Sequence, residues 1–182
     1  ISLADFASEI LLRHGTEEQK LKYLVPITKG EFLSSGGFTE PDHGSDITLM
    51  NTTAVWSGDA YAINGVKTFI TNGTIGNFVL VLCQSDPDVK PSYRGQSVIL
   101  VEQGTPGFTA NDVGEKMGIK MTSTAELSFN NVKVPASNLV GKENRGFYQV
   151  LEFFDESRIE IAAQALGIAE GAFDRALAYT KQ

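Results

Sequence analysis

The chain has 182 residues, 42% hydrophobic and 20% charged, the balance of a globular protein whose core needs no staples. A formal charge of −7 without a basic cluster sets nucleic acid aside as a partner. The single cysteine (Cys83) and two separated histidines (His14, His43) argue against an internal disulfide and against a metal site rich in thiolate or imidazole.

The sequence starts without a methionine and already in helical rhythm, with Leu3, Phe6, Ala7, Ile10 and Leu11 at three- and four-residue spacing. His14-Gly15 closes that helix, Gly15 being suited to the left-handed position past its end. Thr16-Glu17-Glu18-Gln19 has the form of a capping box. The helix it opens, carrying Leu21, Leu24 and Val25, is expected to stop near Pro26.

From Phe32 the period changes to two, and strands are predicted at 33–38, 51–56, 60–63, 67–70, 78–83, 97–101 and 125–129. Shorter pieces fall near 108–113 and 132–134, and the separators are turn residues, Asn130-Asn131 among them. Asn64-Gly65 between two short runs is a hairpin signal. Many short strands at this spacing predict an antiparallel β-barrel or sandwich.

After a loop at 141–146 a long helix starts near Phe147, and its apolar stripe continues to Gln182 without a stop signal. No apolar run reaches membrane-spanning length and no signal peptide opens the chain, so a cytoplasmic setting is expected, or the mitochondrial matrix in a eukaryote. The whole reads as an α+β fragment in which truncated all-α domains flank a middle β domain. Residues 1–32 end the first helical domain, 33–140 form the β domain, and 141–182 begin the second helical domain.

Three stretches can carry chemistry. In residues 36–46, Pro41 stops any helix and biases Glu40 toward extended backbone. Gly44 can take positive φ, and Ser45 and Asp46 offer oxygens beside free amides. Such a turn can receive a phosphate or a polar ring edge, or can simply join two elements. In residues 63–73, Phe69 and Thr71 share strand parity, which puts a ring and a hydroxyl on one face. That face can seat a planar heterocycle or belong to an ordinary half-buried strand. Asp155 and Arg158, three apart on the long helix, can form a surface pair or leave the guanidinium to steady a polar ligand. His43 reads as a cap or a solvated side chain, and Cys83 as a small buried thiol.

In combination these stretches closely resemble the acyl-CoA dehydrogenases. The motifs are Thr39-Glu40-Pro41 with Gly44-Ser45-Asp46, Ile63-Asn64-Gly65 with Lys67 and residues 69–73, Glu115 to Lys120 with Ser123 to Leu127, and Asp155 with Arg158. Each is weak alone, but all stand in family order, and Gly15 to Lys20 with Lys22-Tyr23-Leu24 resembles the last helix of the family's N-terminal domain.

The resemblance implies a flavoprotein with FAD against the β domain. The positions matching Phe38, Thr39, Gly44 and Ser45 contact flavin and diphosphate, and those matching Phe69, Ile70 and Thr71 line the ring's other side. An acyl-CoA thioester would run past Ser45 and the helix bearing Asp155, Glu156, Ser157 and Arg158. The implied reaction removes an α-proton and passes a β-hydrogen to the flavin as hydride. Electrons would go to an electron-transfer flavoprotein, and the full-length protein would be a homo-oligomer, tetramer or dimer. Relatives keep the catalytic base either directly before the arginine, where Ser157 stands here, or in the later helical domain, so the base is expected beyond Gln182 and the 182 residues alone to be inactive.

Three departures stand out: Phe69 replaces a frequent tryptophan, Gly36-Gly37 leaves extra room beside the flavin, and His43 has no assigned role. Rival readings are an acyl-CoA oxidase or flavin monooxygenase of the same fold, or a non-catalytic ligand-binding β module.

Overall fold

The computed structural model describes residues 6–182, so the expected contribution of Leu3 to the first helix lies outside the described residues. Packing divides the chain into two compact units, one reaching Val150 and one running from Leu151 to Gln182.

In the first unit, α1 (Ser8–His14) buries Ile10 and Leu11 on its apolar face. Gly15 after it has φ −68° and is extended, not left-handed. A side chain there would strike the Leu11 carbonyl, so close approach is the reason for glycine. Thr16 then caps α2 (Glu17–Gln19) with the full capping box: Gln19 N donates to Thr16 Oγ1 at 3.2 Å and Thr16 N to Gln19 Oε1 at 3.0 Å.

The coil does not stop at Pro26. It passes through a π-helical turn (Lys20–Leu24) into α3 (Val25–Thr28), with Pro26 in the first turn. Proline is tolerated there because it has no amide to leave unpaired, and the wide π turn precedes it. These helices dock on the sheet through Tyr23, whose ring lies 4.9 Å from that of Phe78 and whose hydroxyl donates to Glu102 Oε1 at 2.8 Å.

The described residues form one sheet of eight strands: β1 (Ser34–Gly37), β2 (Thr53–Trp56), β3 (Ala60–Thr71), β4 (Phe78–Gln84), β5 (Gln96–Glu102), β6 (Phe108–Asp112), β7 (Thr124–Pro135) and β8 (Leu139–Val140). The order is β6-β7-β3-β2-β4-β5-β8, with β1 also on β4. This alters the expectation of an antiparallel barrel or sandwich in two ways. β1 and β2 both run parallel to β4, so the sheet is mixed. Nor does any pairing among the described residues join β6 to β8, so the sheet is not closed into a barrel. β4 is buried at every position, and a strand covered on both faces reads as a continuous apolar run.

The expected hairpin at Asn64-Gly65 is likewise absent. β3 runs through it for twelve residues, and β7 runs through Asn130-Asn131 for twelve more. Asn64-Gly65 and Asn130-Asn131 face each other across a register shift, where Asn64 Oδ1 accepts the Asn131 amide at 2.8 Å. Gly65 has φ +148° and passes against Thr52, where any side chain would collide. Pairing along the length of two long strands outweighs the local turn preference and turns Asn-Gly into a bulge.

The core gathers Ile63, Ile70, Val79, Val81, Ile99, Val101, Leu127 and Val132 from β3, β4, β5 and β7. Asn144 N donates to Ser97 Oγ at 2.8 Å, and Gly146 presses on the Ser97 backbone, which seats the start of α4 (Gly146–Thr180). In the second unit α4 exposes Ile159, Ile161, Leu166, Ile168 and Phe173.

Candidate functional site

The site begins where β1 ends. Phe38 is buried, with its ring 6.5 Å from that of Phe6. It occupies the space that Gly36 leaves, since a side chain at 36 would meet the Phe38 ring. The extra room expected at Gly36 is therefore filled by the protein itself.

The chain then enters a long excursion, residues 38–52. Glu40 is buried within it, and its carboxylate closes it by accepting the Asn51 amide at 2.7 Å and the Thr52 amide at 2.9 Å. Gly44 and Ser45 stand at the exposed side of this loop, and a side chain at 44 would meet only open space. Asp46 accepts from the Thr48 amide at 2.9 Å and from its hydroxyl. Those two bonds hold its carboxyl below the usual range although it is exposed.

Sequence reasoning assigned no role to the residue that joins this loop to β3. Lys67 is fully buried and meets Glu40 Oε1 at 2.8 Å, while also donating to the Phe38 carbonyl at 3.2 Å. Burial, the largest influence on Lys67, pulls its ammonium below the ordinary value against the attraction of Glu40. In Glu40 burial pushes the carboxyl up, but Lys67, Thr52 and Asn51 together outweigh it and hold the group down. One signal was available in the sequence: Lys67 shares strand parity with Ile63, and a lysine on a core face has to find a carboxylate. Cys83 is buried nearby in β4, and burial pushes its thiol up to about 12, as expected of an inert core thiol.

Phe69 follows two residues after Lys67, with the Thr68 amide donating to the Thr39 carbonyl at 2.9 Å in between. Its φ is +57°, a left-handed conformation that is an outlier for a bulky residue. The ring is 69% exposed, which excludes a core role for it among the described residues. Ile70 turns back into the core at 2% exposure, and Thr71 is half-buried opposite Thr124. The structure thus bonds the backbone of Thr39 to Thr68, the neighbour of Phe69, and leaves Thr71 half-buried at the end of the same strand. Phe38 and Ile70 direct their side chains into the protein, which leaves their backbone for any contact outward.

Of the third motif, Glu115 to Lys120 lie in a loop after β6 and Thr124 to Leu127 open β7, the two joined by Lys116, whose Nζ donates to the Thr122 carbonyl at 2.6 Å and to the Thr124 hydroxyl at 3.1 Å. In the second unit, Arg158 lies 3.8 Å from Asp155, both well exposed, so the ion pair carries little energetic weight. Arg158 Nε also donates to the Phe154 carbonyl at 3.2 Å, and Ser157 Oγ to the same carbonyl at 3.3 Å. Asp155, Glu156, Ser157 and Arg158 lie within about one turn of α4 in the second unit. The described residues contain no group of three or more His, Cys, Asp or Glu able to hold a metal ion, and no helix among them is long and apolar enough to cross a membrane.

A family model for the acyl-CoA dehydrogenase middle domain matches residues 35–132, and one for the acyl-CoA dehydrogenase C-terminal domain matches residues 144–182. The chain is 46% identical over 96% of its length to a short-chain specific acyl-CoA dehydrogenase of Clostridium acetobutylicum, and covers 46% of that protein. The structure superposes on butyryl-CoA dehydrogenase of Megasphaera elsdenii with a TM-score of 0.93 and 41% identity, covering 99% of this chain and 47% of the other. A chain in the structure of the electron transferring flavoprotein of Acidaminococcus fermentans aligns with a TM-score of 0.88 and 44% identity, over 93% of this chain and 45% of that one. The chain spans about half the length of the curated relatives it matches. With the middle-domain model alone spanning more than half of these residues, the chain belongs to the acyl-CoA dehydrogenase family.

Proposed function

We propose that this chain forms the flavin- and thioester-binding part of an FAD-dependent acyl-CoA dehydrogenase. The observation that carries the reading is Phe69, an exposed ring held in a strained backbone conformation beside Thr39. Strain of that kind persists where the surrounding structure imposes it, and it concentrates at ligand sites. The donor set fits a flavin: an aromatic face at Phe69, hydroxyls at Thr39, Ser45 and Thr71, and an open backbone at Gly44.

In this reading Phe38 and Ile70 contribute through their backbone, and Phe69 packs on the ring. Bound FAD supplies the electron sink for α,β-dehydrogenation of the thioester. Ser45 and residues 155–158 would bind the acyl-CoA, with Arg158 offering a planar donor fork to its polar chain. No residue here is assigned as the base, because Ser157 has no carboxylate for the α-proton. The 182 residues alone are therefore proposed not to turn over.

The division at 1–32, 33–140 and 141–182 is kept as a domain proposal, supported by the two family-model boundaries. An electron-transfer flavoprotein as acceptor and a homo-oligomeric full-length protein complete the reading. The test is to add acyl-CoA thioesters anaerobically to the FAD-loaded full-length protein and follow the flavin band. Bleaching by at least one thioester is expected. A flavin band unmoved by any chain length overturns the assignment.

A further inference from the structure

We infer that Lys67 and Glu40 form a positioning pair that holds Thr39 and Phe69 together as one flavin-facing surface. The inference rests on the flavin reading above and deepens it. Neither residue is exposed enough to touch a ligand: their side chains are 0% and 1% exposed. Yet the pair sits among the bonds that tie the loop at 38–52 to β3, and Lys67 Nζ also meets Met50 Sδ at 3.1 Å near the far end of that loop. Lys67 Nζ reaches Glu40 Oε1 at 2.8 Å and the Phe38 carbonyl at 3.2 Å, and the Thr68 amide reaches the Thr39 carbonyl at 2.9 Å.

Three of these links span residues 38–40 on one side and 67–68 on the other, so the backbone on both sides of Thr39 is tied to the segment that leads into Phe69. Phe69 stands at φ +57° between Lys67 and Ile70, both buried. A residue in that conformation relaxes to ordinary strand geometry unless both flanks are fixed. Ile70 is fixed by the core, and Lys67 by its carboxylate. Loss of the ion pair would let Phe69 leave its left-handed conformation and change the direction of its ring relative to the backbone at Thr39.

The alternative role is purely structural, a buried ion pair that stabilises the fold and nothing else. The two differ in what happens when both charges are removed together. Glu40→Gln with Lys67→Met keeps volume and leaves no lone buried charge, so the fold survives while the clamp is gone. Glu40→Gln alone, which keeps an acceptor for one of the Asn51 and Thr52 amides, is the second variant.

The experiment uses the full-length protein and measures melting temperature, FAD affinity and the visible circular dichroism of bound flavin. The expected result is a double variant that stays folded, binds FAD at least tenfold more weakly and shows an altered dichroism. Glu40→Gln alone should lose about threefold. Unchanged affinity and dichroism in a folded double variant overturn the positioning role while leaving the flavin reading intact. A wild-type protein that binds no FAD overturns both. Failure of both variants to fold also overturns the inference, since the pair then serves stability alone.

Discussion

Glu40 and Lys67 meet at 2.8 Å with both side chains buried, and so join the loop after β1 to the middle of β3. Removing one partner leaves an unpaired charge inside the protein, whereas removing both does not. Lys67→Met alone should therefore cost on the order of 3–5 kcal/mol of stability, and adding Glu40→Gln should recover most of the loss. Urea unfolding of the single and double variants checks this. Equal losses in both would show that the two residues are not energetically paired.

The same pair gives the protein an acid-sensitive element. Glu40 has a folded value held below the ordinary 4.5, so its contribution is present above that pH and is lost as pH falls through the folded value. The urea midpoint of the wild type should drop below pH 4.5 more steeply than that of the Glu40→Gln, Lys67→Met double variant. Parallel profiles would assign the acid sensitivity to other carboxylates.

Phe69 should respond to substitution as a strained, exposed residue does. Phe69→Gly relieves a left-handed conformation worth about 1–2 kcal/mol, partly offset by a freer unfolded chain, so stability should rise by about 0.5–1 kcal/mol. Flavin affinity should fall in the same variant, because the ring contributes roughly 0.5–1.5 kcal/mol beyond its area. Thermal melting and FAD titration measure the two effects separately. A destabilised glycine variant would mean that the ring is needed for folding.

Gly65→Ala should be among the most damaging single changes in the sheet. The new methyl meets Thr52, and the backbone at φ +148° is one that side chains rarely adopt. Overpacking and strain together should cost about 3 kcal/mol, read as a lowered melting temperature. A variant that melts like the wild type would show that β2 can move aside.

Thr71→Val keeps the shape of the side chain and removes its hydroxyl. If Thr71 binds the flavin edge, FAD affinity should weaken by about 1 kcal/mol with stability nearly unchanged. An unaltered titration curve would remove Thr71 from the site.

Residues that act locally were legible in the sequence. The Thr16-Gln19 capping box, the long helix after 146 and the buried Cys83 all follow from contacts a few residues apart or from plain apolar patterning. What failed was local chemistry overruled from a distance. Asn64-Gly65 carries a turn signal, but its partner Asn131 lies sixty-seven residues away and converts the turn to a bulge. The parallel pairing of β1 and β2 with β4 could not be seen from strand spacing, although the unbroken apolar run of β4 was a hint. A register shift between Lys67 and Ile70 interrupts strand parity at the site, so only the presence of a ring at 69 and a hydroxyl at 71 was readable. The left-handed turn of Phe69 was not, because it depends on anchors at 67 and 70.

The strand that holds β1 also receives β2. Gly37 pairs with Val81 and Thr53 with Gln84, so the chain leaves β4 and returns to it only three positions further along the same edge. Everything from 38 to 52 is thus a detour with fixed entry and exit, like a cassette plugged into a socket. Its exposed tip at Gly44 and Ser45 can change without altering any strand register, provided a glutamate at its entry still finds Lys67 and the Ile47 and Thr48 carbonyls still find Gln96. For protein engineering this makes the stretch a transplantable unit, to be moved between related sheets together with Lys67 of β3 and Gln96 of β5.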